Sequence, residues 1–276
     1  MKWIQAQGNT LTEYRNRQFT RGLLIFLAVL FVPYFKCLAE QPISHSEHPK
    51  ARRQAKTAGH RNAVVNVNYV YEYERSNDNF DRTNTNELDL VLTYGVLEKV
   101  DVIMNMPVKY KVLNGKKHYS GLADLSLEAK WKFYEKDDLH LAVYPQMTFP
   151  TGYYRQGEGE GRATYGVMLI ATKDIDPVTL SLVSSYTRNE NKVDDRRNIW
   201  TLYLNGTLRT SENLSLLGSA GIERDKNKSY KKDPIYLTGG FSYAVSKTFS
   251  ILPSVKVAIR KPETDITFTL GTQWTF

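Results

Sequence analysis

The stretch that decides the fold is residues 121 to 134, GLADLSLEAKWKFY. Apolar side chains occupy every second position, at Leu125, Leu127, Ala129, Trp131 and Phe133. Polar or charged side chains occupy the positions between them, at Asp124, Ser126, Glu128, Lys130 and Lys132. A period of two places successive side chains on opposite faces of a β-strand. The pattern therefore predicts a strand with one apolar and one polar face, which cannot be buried on both sides.

The same alternation repeats about every 17 residues from Ala63 to the end of the chain. The predicted strands cover residues 63–75, 86–97, 100–112, 121–134, 138–149, 163–174, 177–188, 198–209, 213–224, 234–245, 248–260 and 265–276. Long polar connections alternate with tight turns, as residues 76–85 and Glu98-Lys99 illustrate. An even number of long antiparallel strands, with long loops at one end and short turns at the other, is typical of bacterial outer-membrane barrels.

We therefore predict an all-β fold over residues 62–276, a transmembrane antiparallel up-and-down β-barrel of about twelve strands. The alternative is a soluble sandwich or lipocalin-like barrel, whose polar face would point outward. The predicted strands are long and uniform beside the usual length of about five or six residues, which favours the membrane barrel.

The last eleven residues, ITFTLGTQWTF, form the most specific segment of the chain. A polar residue, a glycine and two aromatic residues, at Thr269, Gly271, Trp274 and Phe276, resemble the signal by which outer-membrane proteins are recognised by the barrel assembly machinery. A final strand of this kind can add to an open sheet edge and place its aromatic ring in the membrane interface. We predict that these residues form a membrane-insertion signal.

The first 39 residues have the layout of a secretory signal peptide, with a basic leader before an apolar run from Leu23 to Phe35. That run is shorter than the roughly 20 residues that a spanning helix needs. Cleavage after Ala39 would also remove Cys37, the only cysteine.

Residues 40–61 lack apolar periodicity and are predicted to be a disordered periplasmic extension. The expected location is the bacterial outer membrane, where lipid and lipopolysaccharide surround the barrel.

The net charge of +8 is concentrated near the N-terminus. Residues 1–39 carry +4 and residues 40–61 carry +3, which leaves +1 for the remainder. A basic face spread over the folded body is therefore absent from the pattern, and no nucleic-acid partner is expected.

The sequence offers no convincing catalytic or metal-binding constellation. His45, His48 and His60 lie in the extension with a spacing that matches no zinc pattern. His140 is predicted to point into the lumen, without the serine partner that a hydrolase nucleophile needs. The glycine-rich stretch at residues 157–161 is followed by neither a lysine nor a helix, so it predicts a mobile loop. We expect no enzyme activity, no cofactor and no bound metal.

Charged side chains on the polar face of the strands are candidates to line the lumen. The set predicted from alternation is Glu72, Asp89, Asp124, Glu128, Lys130, Lys132 and Lys256. Carboxylate pairs such as Glu72 with Glu74 follow from any strand whose inner side is polar. Ion pairs around the ring are therefore a simpler interpretation than acid and base catalysis.

Residues 120–152, SGLADLSLEAKWKFYEKDDLHLAVYPQMTFPTG, resemble the outer-membrane family labelled for the meta-pathway of phenol degradation. The likeness is carried by Ser120-Gly121-Leu122, Asp124, the basic aromatic run 130–133 and Pro150-Thr151-Gly152, and it continues through residues 157–173 and the last strand. The sequence departs from the family at Ala123, where a second glycine is usual, and at Glu128. The resemblance implies a passive transporter, with aromatic or other hydrophobic compounds as its solutes.

Three functions follow from these patterns, in descending order of expectation. The first is a passive channel for small molecules, whose lumen is lined by the charged side chains named above. The second is a structural or surface-interaction barrel whose lumen is closed by the same ion pairs. The third is an outer-membrane hydrolase. Charge alone does not separate an aqueous passage from a filled interior.

Overall fold

The structure is a computed structural model that describes residues 53–75, 82–113, 116–156, 158–228, 232–260 and 266–276. The predicted signal peptide and residues 40–52 of the predicted extension lie outside the described residues. Thirteen antiparallel strands form one sheet in the described chain. They are β1 (Ala63–Arg75), β2 (Arg82–Leu97), β3 (Val100–Leu113), β4 (Lys116–Leu122), β5 (Leu125–Lys136), β6 (Leu139–Phe149), β7 (Thr164–Ile175), β8 (Val178–Arg188), β9 (Asn198–Arg209), β10 (Leu214–Glu223), β11 (Ile235–Ala244), β12 (Phe249–Arg260) and β13 (Ile266–Thr275).

The sheet closes on itself because β1 pairs with both β2 and β13, the last strand. The closing seam ends in a reciprocal pair of backbone hydrogen bonds. The Ala63 amide donates to the Phe276 carbonyl at 3.1 Å, and the Phe276 amide donates to the Ala63 carbonyl at 2.8 Å. In the described strands, closure leaves neither β1 nor β13 with an open edge, which suits a bilayer because it contains no water to hydrogen-bond exposed backbone groups.

Strands β4 and β5 occupy one position in the wall, so the barrel has twelve strand positions, as predicted. The upper part of β3 pairs with β4, and its lower part, from Val100 to Asn105, pairs with β5. The predicted strand 121–134 is therefore broken at Ala123-Asp124, and β4 begins within the predicted loop. The break coincides with two hydrogen bonds to the Asp124 carboxylate from the backbone amides of Gly152 and Glu160, each 2.8 Å long. Such side-chain bonds compete with the regular sheet ladder.

The two faces of the wall differ as the alternation predicted. On the outer face, Trp131 is 53% exposed, Leu169 55% and Leu204 54%, whereas Lys130 on the inner face is 1% exposed. A soluble barrel would show the reverse, so the membrane interpretation is confirmed.

Strands β10, β11 and β13 have 10 residues each. Ten residues extend about 34 Å, which at a tilt of about 45° spans about 24 Å, close to the apolar band of an outer-membrane barrel.

Aromatic pairs lie on the outer face near the end that carries the short turns. The rings of Trp131 and Phe133 are 5.9 Å apart, and those of Phe249 and Trp274 are 4.9 Å apart. Such rings form the girdle at a membrane interface.

A 3₁₀ helix covers Tyr154–Gln156 in the connection after β6. Among the described residues, no helix is long and apolar enough to cross a bilayer.

Candidate functional site

Residues 53–62 precede β1 and run inside the barrel; we call them the luminal segment. They belong to no strand, yet Arg53 is 2% exposed and Ala55 is fully buried. The sequence predicted disorder for residues 40–61, and that prediction is wrong for residues 53–61. Alternation carried no signal here because the segment is ordered by contacts with distant strands rather than by a periodicity of its own.

The segment is anchored at one end by Arg53, whose guanidinium forms two hydrogen bonds with the Glu128 carboxylate. Nη1 lies 2.7 Å from Oε2 and Nη2 lies 3.1 Å from Oε1, and both side chains are buried. The guanidinium also lies 5.6 Å from the ring centroid of Tyr144, whose hydroxyl donates to the Gln54 carbonyl at 2.9 Å. A bidentate arginine–carboxylate pair fixes geometry as well as charge.

A second anchor involves Asp101, which is fully buried on β3. Its two carboxylate oxygens accept the Ala58 amide at 3.1 and 3.0 Å, and Lys130 Nζ lies 3.3 Å away. Lys130 Nζ also donates to the Lys56 carbonyl at 2.9 Å. Lys130 thus connects the wall to the segment and does not face an open passage.

The segment also contacts β7, which lies two strand positions along the wall from β5. The Ala55 amide donates to Thr172 Oγ1 at 2.9 Å, and Lys56 Nζ donates to Asp174 at 2.9 Å. His140 lies beside this contact, with Nε2 3.2 Å from Asp174 and Nδ1 3.1 Å from Glu135. Its partners are thus two carboxylates.

Close backbone approach holds the other end of the segment. The Arg61 amide donates to the Gly95 carbonyl at 2.7 Å, and the Gly95 amide donates to the Asn62 carbonyl at 2.9 Å. A Cβ on Gly95 would lie 1.7 Å from the Gly59 carbonyl oxygen, and Gly59 itself has φ of +85°. Only glycine at position 95 leaves room for the chain here.

The middle of the lumen is filled by an apolar cluster, which the sequence analysis did not foresee. Buried wall side chains surround Ala55, and they are Val91, Ile103, Ala142, Tyr144, Met168, Ile170, Val183 and Tyr203. These residues occupy inward positions of the alternation, whereas the predicted lumen lining consisted of charged side chains. Packed apolar side chains as well as ion pairs therefore occupy the lumen at this level.

The seven residues predicted to line the lumen fall into four places. Glu72, Asp89 and Lys256 line a cavity of about 150 Å³, and Asp124 lines a second cavity of about 520 Å³. Glu128 and Lys130 lie beneath the luminal segment. Lys132 pairs with Glu135 at 2.7 Å near the turn between β5 and β6.

The larger cavity, which we call the outer vestibule, lies at the end of the barrel that carries the long connections. It is lined by wall residues such as Lys111 and Gln146 and by loop residues such as Glu158 and Lys226. Glu158 is buried, and Asp124 accepts a hydrogen bond from the Glu160 amide. Residues 158–160 of the predicted mobile loop therefore lie against the outer vestibule.

An acidic patch borders the outer vestibule. Lys226 Nζ lies 3.4 Å from Glu160 and 3.9 Å from Asp195. Burial raises the pKa of Asp195 above its usual value, Lys226 opposes the shift, and Glu160 and Asp225 add to it.

Lys109, which also lines this vestibule, is 3.1 Å from Glu87 on the wall of the smaller cavity. The two cavities thus meet at one ion pair.

Several residues that organise the lumen were not singled out from the sequence, above all Arg53, Asp101, Tyr144 and Thr172. Asp101 and Tyr144 occupy inward positions of alternating strands, so the alternation alone could have identified them. Arg53 carried no local signal.

Within the described part of the chain, no cluster of three histidine, cysteine or acidic residues could hold a metal ion.

A closed antiparallel wall, an apolar outer face and a partly polar interior define this chain as an outer-membrane β-barrel. It belongs to the family described as "Putative MetA-pathway of phenol degradation", which matches residues 56–276. The resemblance noted in the sequence is thereby confirmed.

Solved barrels share this fold at low sequence identity. An outer-membrane channel from Pseudomonas putida F1 is 14% identical, with a TM-score of 0.66 over 80% of this chain and 98% of that one. The KdgM porin is 11% identical, with a TM-score of 0.52 over 77% and 99%. The translocator domain of the autotransporter NalP from Neisseria meningitidis is 10% identical, with a TM-score of 0.50 over 78% and 88%. Among curated proteins, no sequence is significantly similar to that of this chain.

Proposed function

We propose that this protein is a passive outer-membrane channel for small solutes, and that the luminal segment is its gate. The observation that carries the proposal is the way in which the segment is held. It is held inside the barrel by side-chain contacts with β3, β5 and β7, and it is not a strand of the wall. Release of these contacts would clear the lumen without breaking the barrel.

The two cavities support a path through the upper lumen. A solute entering the outer vestibule would meet the Lys109–Glu87 pair, then the smaller cavity, and then the luminal segment. In this proposal Glu72, Asp89, Asp124 and Lys256 face the solute, whereas Glu128 and Lys130 face it only after the segment leaves, and Lys132 lies near the turn between β5 and β6. The family's association with phenol degradation favours aromatic or other hydrophobic solutes.

The proposal includes the route by which the chain reaches the membrane. A signal peptide cleaved after Ala39 would export it, and the barrel assembly machinery would recognise Thr269, Gly271, Trp274 and Phe276. Lipid and lipopolysaccharide would surround the apolar wall. The barrel acts without catalysis.

A closed structural barrel is the second candidate. The buried Arg53–Glu128 and Lys130–Asp101 pairs and the apolar cluster around Ala55 favour it, since together they fill the centre of the lumen. The two functions differ in whether the segment ever leaves.

A reversible lock separates these candidates. The Ala55 amide is 2.9 Å from Thr172 Oγ1, so the pair Ala55→Cys and Thr172→Cys places two thiols close enough to be tested for a disulfide. Cleavage after Ala39 would leave no other cysteine to compete. The purified double variant is placed in a planar bilayer, and current is recorded before and after reduction, with Ala55→Cys alone as the control.

We expect current in the reduced protein and its loss on oxidation in the double variant only. Current that is equal in both redox states would exclude the segment as the gate. If neither state conducts and liposomes containing the protein admit neither phenol nor a neutral sugar, the closed barrel is the correct function.

A further inference from the structure

We propose that the rim of the wall at β7, β8 and β9 binds a phosphate group of an outer-leaflet lipid through Arg162, Arg188 and Arg197, which we call the rim arginines. They lie at the end of the barrel that carries the long connections, which in outer-membrane barrels is the extracellular end. The surface is separate from the lumen, so lipid binding there is independent of whether the barrel conducts.

Aromatic side chains mark the upper boundary of the apolar band on these three strands. Tyr165 on β7, Tyr186 on β8 and Trp200 on β9 are all exposed on the outward face. Trp200 lies opposite Tyr186, and Tyr165 lies opposite Arg188. Aromatic rings on the outside of a membrane barrel lie at the level of the lipid headgroups. Arg188, two residues beyond Tyr186 on the same face, therefore lies at that level too.

Neighbouring polar groups orient the Arg188 guanidinium. Its Nε donates to Glu190 Oε1 at 2.7 Å, and its Nη1 donates to Asn198 Oδ1 at 2.9 Å. The Tyr186 hydroxyl donates to the same Asn198 oxygen at 2.9 Å. A guanidinium has five N–H donors, so these two bonds leave others for a phosphate oxygen. Arginine is suited to this ligand because its planar fork matches the geometry of a phosphate.

Positive charge exceeds negative charge around this position. The side chains of Arg162 and Arg197 are exposed, and neither forms a salt bridge within the described part of the chain. The hydrogen bond from Arg188 lowers the pKa of the Glu190 carboxyl, and the charges of Arg197 and Arg162 add to the shift. Three guanidinium groups thus lie near one ionised carboxylate, and a phosphate would reduce their mutual repulsion.

The other carboxylates of the connection between β8 and β9 have lysine partners. Asp194 pairs with Lys228, and Asp195 lies 3.9 Å from Lys226. Both lysines belong to the connection between β10 and β11. These pairs leave Glu190 as the carboxylate that the rim arginines share.

The wall below the rim favours a lipid over a free anion. The outward positions of β7, β8 and β9 carry no carboxylate, and they include the exposed side chains of Leu169, Leu182 and Leu202. A lipid can lay its acyl chains on these side chains while its phosphate meets the rim arginines. A free phosphate would gain only the contacts at the rim, where water and salt screen exposed charges.

Native mass spectrometry of the purified full-length barrel in detergent counts bound lipids and gives their affinities. The probe is lipid A, a glycolipid with two phosphates, and the control lipid is the same glycolipid with both phosphates removed. The buffer contains no divalent cation that could bridge a phosphate to Glu190. The double variant Arg162→Gln with Arg197→Gln should weaken lipid A binding at least about tenfold, because it removes two charge-assisted donors.

The matched control is the double variant Lys136→Gln with Lys247→Gln. It removes the same charge from two exposed side chains at the end of the barrel that carries the short turns. Saturable lipid A binding that exceeds binding of the dephosphorylated lipid, and that the rim variant weakens but the control variant preserves, would support the site.

Three results would overturn the proposal. They are equal affinities for the two lipids, an affinity for lipid A that the rim variant leaves undiminished, and an equal loss in the control variant. Displacement of lipid A by an equal concentration of inorganic phosphate would also refute it, since the site would then bind free anions. If the rim variant fails to assemble, as judged by heat-modifiable electrophoretic mobility, Arg162→Gln and Arg197→Gln are measured singly against the same outcomes.

Discussion

Replacement of Arg53 by alanine is expected to open the barrel. In the closed state the variant would leave the Glu128 carboxylate buried without the guanidinium that contacts both of its oxygens. Once the segment has left, the same carboxylate would face water. The cost of the substitution therefore falls on the closed state and shifts the equilibrium toward the open one.

The size of the shift follows from the burial of the pair. Arg53 and Glu128 have side-chain exposures of 2% and 6%, so solvent screens their interaction little. Removing one partner of a buried ion pair costs about 3–5 kcal/mol. Since about 1.4 kcal/mol changes an equilibrium constant tenfold, the ratio of open to closed protein should rise by roughly two to three and a half orders of magnitude.

Single-channel recording in a planar bilayer measures that ratio as open probability. The matched control is Arg61→Gln, which removes a positive charge from the same segment at an exposed side chain. The double variant Arg53→Ala with Glu128→Gln should recover part of the closed population, because a neutral amide needs no counter-charge.

An open probability that is the same in Arg53→Ala and wild type would refute the gate. Equal effects of Arg53→Ala and Arg61→Gln would also contradict the reasoning, since they would indicate a general charge effect rather than loss of the buried pair.

Three further outcomes are expected. Gly95→Ala should push the end of the luminal segment near Gly59 away from the wall and raise protease cleavage at Arg61 about tenfold or more, because it abolishes two backbone hydrogen bonds of about 1 kcal/mol each. Unchanged cleavage would contradict the close approach of Gly59 to Gly95. Deletion of Phe276 should lower the amount of assembled protein in outer-membrane fractions, and normal levels would exclude the insertion signal. Burial raises the pKa of the Asp195 carboxyl, so this group binds a proton and loses its negative charge as the pH falls through that raised pKa. The cation preference of the wild-type channel should therefore fall on mild acidification. An identical fall in Asp195→Asn would assign the effect to other groups.

The alternation in the sequence was enough to predict the wall. Each predicted strand has a counterpart, and the inward positions of Asn66, Asn68 and Asp89 follow from the same period of two. Strand boundaries differ where a neighbour extends the pairing, as at β2, which begins at Arg82 opposite Arg75 rather than at residue 86. The break before β5 was missed because it depends on Asp124 meeting a loop that follows the next strand.

The sequence by itself determined that this chain is a membrane barrel, because lipid on one side and a polar interior on the other impose a pattern that repeats within each strand. Only the tertiary structure decided what fills the interior. Arg53 lies 75 residues from Glu128, and Ala55 lies 117 residues from Thr172. These groups meet only after the last strand has closed on the first, so the position of the luminal segment and the luminal cavities are properties of the closed ring that no local stretch of sequence contains.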